Sequence, residues 1–257
     1  MRKKKNYWKK NYNLFLNSFK KTDKRLIYIA LCDFLFFLLL IGGLYVWNSG
    51  VAKGIESIPK ELLENPENLS PEKTQETALL MKDYLISIVG YTILLVIFIF
   101  LIWCLFKGYI WNLALKKKFN LKYYGKFLLL NLLWIAIWLV PLILLFILLK
   151  TKPSAKFLVI ILVFLVYFTN ILYILFTKNN LIMESIKNAF NLGFNKIHLF
   201  VLPYVLIILA MVVVSLVTWP TSFLPVKVYT FISTLALVFL LAWARLYLAD
   251  VVKDVSR

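Results

Sequence analysis

The sequence predicts an all-α, polytopic integral membrane protein with six transmembrane helices. Three observations carry that expectation. The first is composition: 62% of the 257 residues are hydrophobic and 16% are charged, with a mean hydropathy of +0.82. Soluble domains are nearer half apolar and about a quarter charged, so a water-soluble domain of this length could not hide so much apolar surface. The second is pattern. Apolar runs recur at about 26–47, 83–106, 127–149, 157–176, 198–218 and 228–249. Each has roughly the 20 residues that cross a hydrocarbon core as a helix, and a helix closes its own backbone hydrogen bonds, which lipid cannot do for it. The third is the distribution of charge. Of 30 Lys and Arg, 22 fall in residues 1–25, 107–126 and 177–197 or at the C-terminal end from Arg245, and eight fall in the alternate connections. The positive-inside rule then predicts both termini in the cytoplasm and a multi-pass protein of the cell membrane.

The net charge of +18 is therefore expected on one face. It predicts attraction to anionic lipid head groups on the cytoplasmic leaflet, about 1 kcal/mol per Lys or Arg near the surface. Nucleic acid is the disfavoured partner for a charge distributed in this way.

In chain order, residues 1–25 read as a basic cytoplasmic arm with an amphipathic helix, 26–250 as the transmembrane domain and 251–257 as a cytoplasmic tail. The first apolar run follows a basic stretch, as a signal peptide would. Its length and the lack of a small-x-small cleavage site predict a retained span. The outer loop 48–82 is acidic, and "SIPKELLEN" within it predicts a short helix ending near Pro66. A second helix, N-capped by Ser70 with Pro71 at its first position, is expected to run into the second span. Asn68-Leu-Ser70 fits a glycosylation acceptor pattern. In "NLIMESIKNAFNLGFN", Ile182, Ile186, Phe190 and Phe194 recur at helical spacing, away from Lys187, Asn188, Asn191 and Asn195. That pattern predicts a cytoplasmic interfacial helix over about 181–195. Pro141 and Pro203 interrupt the third and fifth spans and are possible hinges, because proline frees a backbone carbonyl. Gly42 and Gly43 allow a close approach or a bend in the first span.

Catalytic motifs are absent from the sequence. The sequence has no H-E-x-x-H, no G-x-S-x-G, no phosphate-cradling glycine loop and no paired carboxylates within a span. His198 is the single histidine, and both cysteines, Cys32 and Cys104, lie inside apolar runs. Neither a disulfide framework nor a metal site is expected from these residues, and no cofactor is implied.

What stands out is Asp33, a carboxylate inside the first span. Seven residues from Leu26, it lies roughly 10 Å below the cytoplasmic surface. A charge at that depth is costly and is by default a site with a partner. Arg245, four or five residues from the cytoplasmic end of the sixth span, matches its depth and is the expected partner. The alternatives to a functional site are snorkelling of Arg245 to the interface and a buried ion pair that only fixes the packing of the first and last helices. Thr234, Ala242 and Ala249 share the face of Arg245, which marks a packed side. Asn131 in the third span, near Trp134 and Trp138, and Asn170 in the fourth, near Tyr167, Tyr173 and Thr177, fall at similar depth. Asp33, Arg245, Asn131 and Asn170 together predict a polar cavity open to the cytoplasm. The first functional expectation is a non-enzymatic protein that moves a small solute. The alternative is a membrane scaffold or insertase-like accessory protein that binds a partner membrane protein.

Overall fold

The computed structural model describes residues 11–18, 24–56, 71–148 and 155–255. The expected short helix before Pro66, the Ser70 cap, the Asn68 pattern and most of the basic arm lie outside these residues.

Among the described residues every regular element is helical. They are α1 (11–18), α2 (Lys24–Glu56), α3 (Pro71–Ala114), α4 (Leu121–Leu148), α5 (Ala155–Asn179), α6 (Ile182–Asn195), α7 (Ile197–Thr218) and α8 (Val226–Val255). A 3₁₀ turn, Trp219–Phe223, joins α7 to α8. Six of the helices are long and apolar enough to cross a membrane: α2, α3, α4, α5, α7 and α8. Several run past the ends that hydropathy predicts. The 44 residues of α3 measure about 66 Å at ~1.5 Å per residue, roughly twice a hydrocarbon core. The expected loop 48–82 is helical at both ends, over 48–56 and 71–82.

The chain divides into two compact units, Met1–Phe34 with Cys104–Arg257, and Leu35–Trp103. Within Leu35–Trp103, Phe36 meets Trp103 edge-on with ring centroids 5.8 Å apart. Trp47 donates to the Thr92 hydroxyl at 3.2 Å. A Cβ on Gly43 would lie 2.7 Å from Phe98, so the close approach expected at this glycine is real; Gly42 has open space.

The larger unit holds most of the buried residues. At one end of it α3 stops and α4 starts. The α3 terminus is a Schellman turn: the Lys117 N–H donates to Asn112 O at 2.8 Å and the Lys116 N–H to Leu113 O at 3.2 Å. Lys116 takes the left-handed φ of 57° that this motif requires. Asn120 then caps α4, its Oδ1 accepting the Tyr123 N–H at 2.7 Å. The end of α5 uses Asn180 with φ 56°, a conformation that asparagine tolerates better than most residues. Neither Pro141 nor Pro203 ends its helix; α4 and α7 run through them.

Helix α6 packs through small residues. Ser185, Ala189 and Gly193 are its buried positions, spaced four apart on one face. A Cβ on Gly193 would come within 2.3 Å of Phe168 on α5. The larger Ile182, Ile186 and Phe190 are half-buried, and Phe194 is exposed. The apolar stripe expected from the sequence flanks the contact with α5, and small residues make its centre, because they let backbones approach closely.

Candidate intramembrane charge cluster

Three ionisable side chains from three helices converge on one point. Asp33 on α2 is 2% exposed. Its Oδ1 accepts a hydrogen bond from Lys107 Nζ of α3 at 3.1 Å. Its Oδ2 accepts one from Arg245 Nη1 of α8. The structure thus brings together Asp33 and Arg245, the two charges singled out in the sequence. It also adds a third group that sequence reasoning placed elsewhere.

Lys107 was expected as the first residue of a cytoplasmic loop at 107–126. That expectation is corrected: α3 continues to Ala114, so Lys107 is seven residues inside it, about 10 Å from its end. Only 8% of the residue is exposed. The signal was present. Cys104, Lys107, Ile110, Trp111 and Ala114 follow the i, i+3, i+4, i+7 spacing of one helix face, and all five are buried. Lysine at 107 looked like a boundary because charge was read without its face.

Each member is held by its own surroundings. Arg25 Nη1 donates to Ala114 O at 2.6 Å, so the start of α2 is tied to the end of α3. The eight residues from Arg25 to Asp33 and the seven from Lys107 to Ala114 are then similar helical rises. On α8, Ala242 and Ala249 are buried as expected for the face of Arg245, but Thr234 is exposed. Only the C-terminal half of α8 is in the core, from Val238 onward. Helix α1 packs there too: Phe15 lies edge-on to Trp243 and Tyr247, and Trp243 Nε1 donates to Ser18 Oγ at 3.0 Å.

The two asparagines belong to different hydrogen-bonded sets. Asn131 Oδ1 accepts from the Tyr173 hydroxyl, and Asn131 Nδ2 donates to Phe127 O at 2.7 Å. This is one rung of a ladder between α4 and α5. Trp134 Nε1 donates to Thr169 Oγ1 at 2.8 Å. The Tyr123 and Thr177 hydroxyls are 2.8 Å apart, and Lys126 Nζ donates to Asn180 O at 3.1 Å. Asn170 instead reaches α7, donating to the Tyr204 hydroxyl at 3.4 Å. Sequence reasoning grouped Tyr173 and Thr177 with Asn170. The structure gives both to α4, because their hydroxyls meet Asn131 and Tyr123.

Three of the basic residues at this end bind helix C-termini. Arg25 reaches Ala114 O, Lys126 reaches Asn180 O, and Lys196 Nζ reaches Val255 O at 2.6 Å. Terminal carbonyls lack intrahelical donors and carry the negative end of the helix dipole, so a cation there is stabilising.

Chemically, the cluster sets two cations against one carboxylate, a formal sum of +1. Among the described residues no group of three or more His, Cys, Asp or Glu is placed to hold a metal ion. No protein-family model, curated protein or solved structure matches this chain. The fold and composition define its class, a multi-pass, membrane-like helical protein with six helices able to span.

Proposed function

We propose that this protein is a non-enzymatic carrier of a small anionic solute, and that Asp33, Lys107 and Arg245 form the site the solute engages. The observation behind the reading is the cluster itself. Charge at membrane depth is costly, and such residues usually mark solute or proton paths. As packing, the arrangement is a poor choice: replacing buried ion pairs by apolar side chains of similar size is often neutral or stabilising. The excess of one cation suits an anion that competes with Asp33 for Arg245 and Lys107. Asp33 then acts as the exchangeable counter-ion, released or protonated as the solute binds.

The test is water access. With Cys32 and Cys104 changed to Ala, Asp33→Cys is treated in inside-out vesicles with a membrane-impermeant thiol reagent. Rapid labelling, slowed by a small carboxylate or phosphate in the medium, is the expected result. Reactivity that appears only on denaturation would overturn the reading. In proteoliposomes, any anion flux found must fall with Asp33→Asn; equal flux rejects the carrier role. A scaffold or insertase-like helper predicts instead a partner membrane protein that co-purifies in stoichiometric amount, with no anion flux.

A further inference from the structure

A second polar feature lies apart from the charge cluster. A cleft of about 490 Å³ opens where α5 ends and α6 passes toward α7. Its polar lining is Lys178, Asn179, Asn188, Asn191, Asn195 and Lys196. Among the described residues that is four carboxamides and two ammonium groups, with no carboxylate. The single acid of α6, Glu184, is exposed and is not part of the lining. The volume falls within the usual range of small-ligand sites, about 300–1,000 Å³.

We infer that this cleft binds a phosphate-bearing anion with hydroxyl groups, the chemistry of an anionic lipid head group. The level of the cleft points that way. Lys178 and Asn179 close one membrane-spanning segment, and Lys196 immediately precedes the next, which starts at Ile197. The lining therefore sits where a span meets water, at the depth of head groups. The chemistry agrees. Phosphate oxygens accept only, and lysine and amide N–H groups supply donors; amide oxygens accept from hydroxyls on the same ligand. The cleft is also built on fixed parts. Asn188, Asn191 and Asn195 follow i, i+3, i+7 spacing on α6, whose Ser185, Ala189 and Gly193 are anchored in the core. Asn195 Nδ2 donates to Asn191 Oδ1, which orients both amides. Lys196 is pinned by Val255 O, a bond that uses one of the three N–H groups of an ammonium. The α5 terminus, whose dipole would repel an anion, is compensated: Phe176 O accepts the Asn180 N–H at 2.7 Å and Asn180 O accepts from Lys126.

This site does not depend on the carrier reading, and either can fail alone. The full chain in detergent is titrated with dioleoyl phosphatidylglycerol or dioleoyl phosphatidylcholine, and bound lipid is counted by native mass spectrometry. One phosphatidylglycerol should bind tightly and phosphatidylcholine weakly. Lys178→Gln and Asn191→Ala should each weaken phosphatidylglycerol by about tenfold, the loss of one charge-assisted hydrogen bond. Lys187→Gln removes the same charge from α6, outside the cleft lining, and should change binding less than about twofold. Asn191→Ala alters an exposed side chain, so a fold defect in Lys178→Gln does not blunt the test. Displacement of the lipid by millimolar glycerol phosphate, but not by inorganic phosphate, supports the lipid head group as the source. Equal displacement by inorganic phosphate assigns the cleft to a soluble phosphate. Equal binding of both lipids, or an equal loss in Lys187→Gln, overturns the site.

Discussion

Helices α7 and α8 are neighbours joined by a short turn, yet they invert the usual relation between apolarity and burial. The spanning window of α7 is the more apolar of the two, and 17% of it is buried; that of α8 is less apolar, and 56% is buried. Helix α7 keeps a narrow buried stripe, Phe200, Pro203 and Ile207, and exposes Val205, Ile208, Leu209, Val212 and Val213. Helix α8 carries Arg245 and buries Ala242, Ala244 and Ala249 beside Trp243 and Tyr247. In water the apolar helix would be the core. In lipid the surrounding tails are as apolar as leucine, so hydropathy no longer drives helices together; small residues and polar partners do.

The sharpest way to break this comparison is at Arg245. Arg245→Met leaves the buried Asp33 with one of its two cations. We expect a loss of about 3–5 kcal/mol, the usual cost of removing one partner of a buried pair, read as the shift in denaturant unfolding in mixed micelles. The triple variant Asp33→Leu, Lys107→Met and Arg245→Met should recover most of that stability while abolishing any anion flux. Failure to recover would show that the cluster is held for packing. A smaller effect is expected at Ala242, which is fully buried. Ala242→Leu should destabilise by about 1–3 kcal/mol through overpacking, by the same unfolding measurement. Asn170→Leu removes the long hydrogen bond to Tyr204 on α7 and should cost about 0.6 kcal/mol, the average for such bonds between membrane helices. Smallest of all is Val213→Leu on the exposed face of α7, expected within about 0.5 kcal/mol of the parent. If Val213→Leu matched Ala242→Leu, the exposed face of α7 would be a protein interface and the contrast would fail.

Much of this architecture is legible in the sequence, and the limits have identifiable causes. The six spans follow from apolar run length alone. Their ends do not: α3 runs on to Ala114, through Lys107, whose ammonium meets Asp33 of α2. Lys107 shows why: its periodicity with Ile110 and Trp111 marks a helix face, but a lysine after an apolar run also fits a loop. Asn131 and Asn170 illustrate a second limit. Both are polar residues at similar depth, yet one faces Tyr173 across α4 and α5 and the other faces Tyr204 on α7. Helical spacing gives the face of a residue on its own helix, and nothing in it selects the neighbour.

The sequence by itself determined the helical class, the number of spanning segments and the presence of a costly carboxylate in the first. These are local properties: run length, backbone self-satisfaction and the energy of a charge in hydrocarbon depend only on the residues concerned. The tertiary structure decided which cations meet that carboxylate, that there are two of them, and that lysines and asparagines near the span ends line a cleft. Those depend on rotation and register between helices, which close packing of small residues sets and which no single helix encodes.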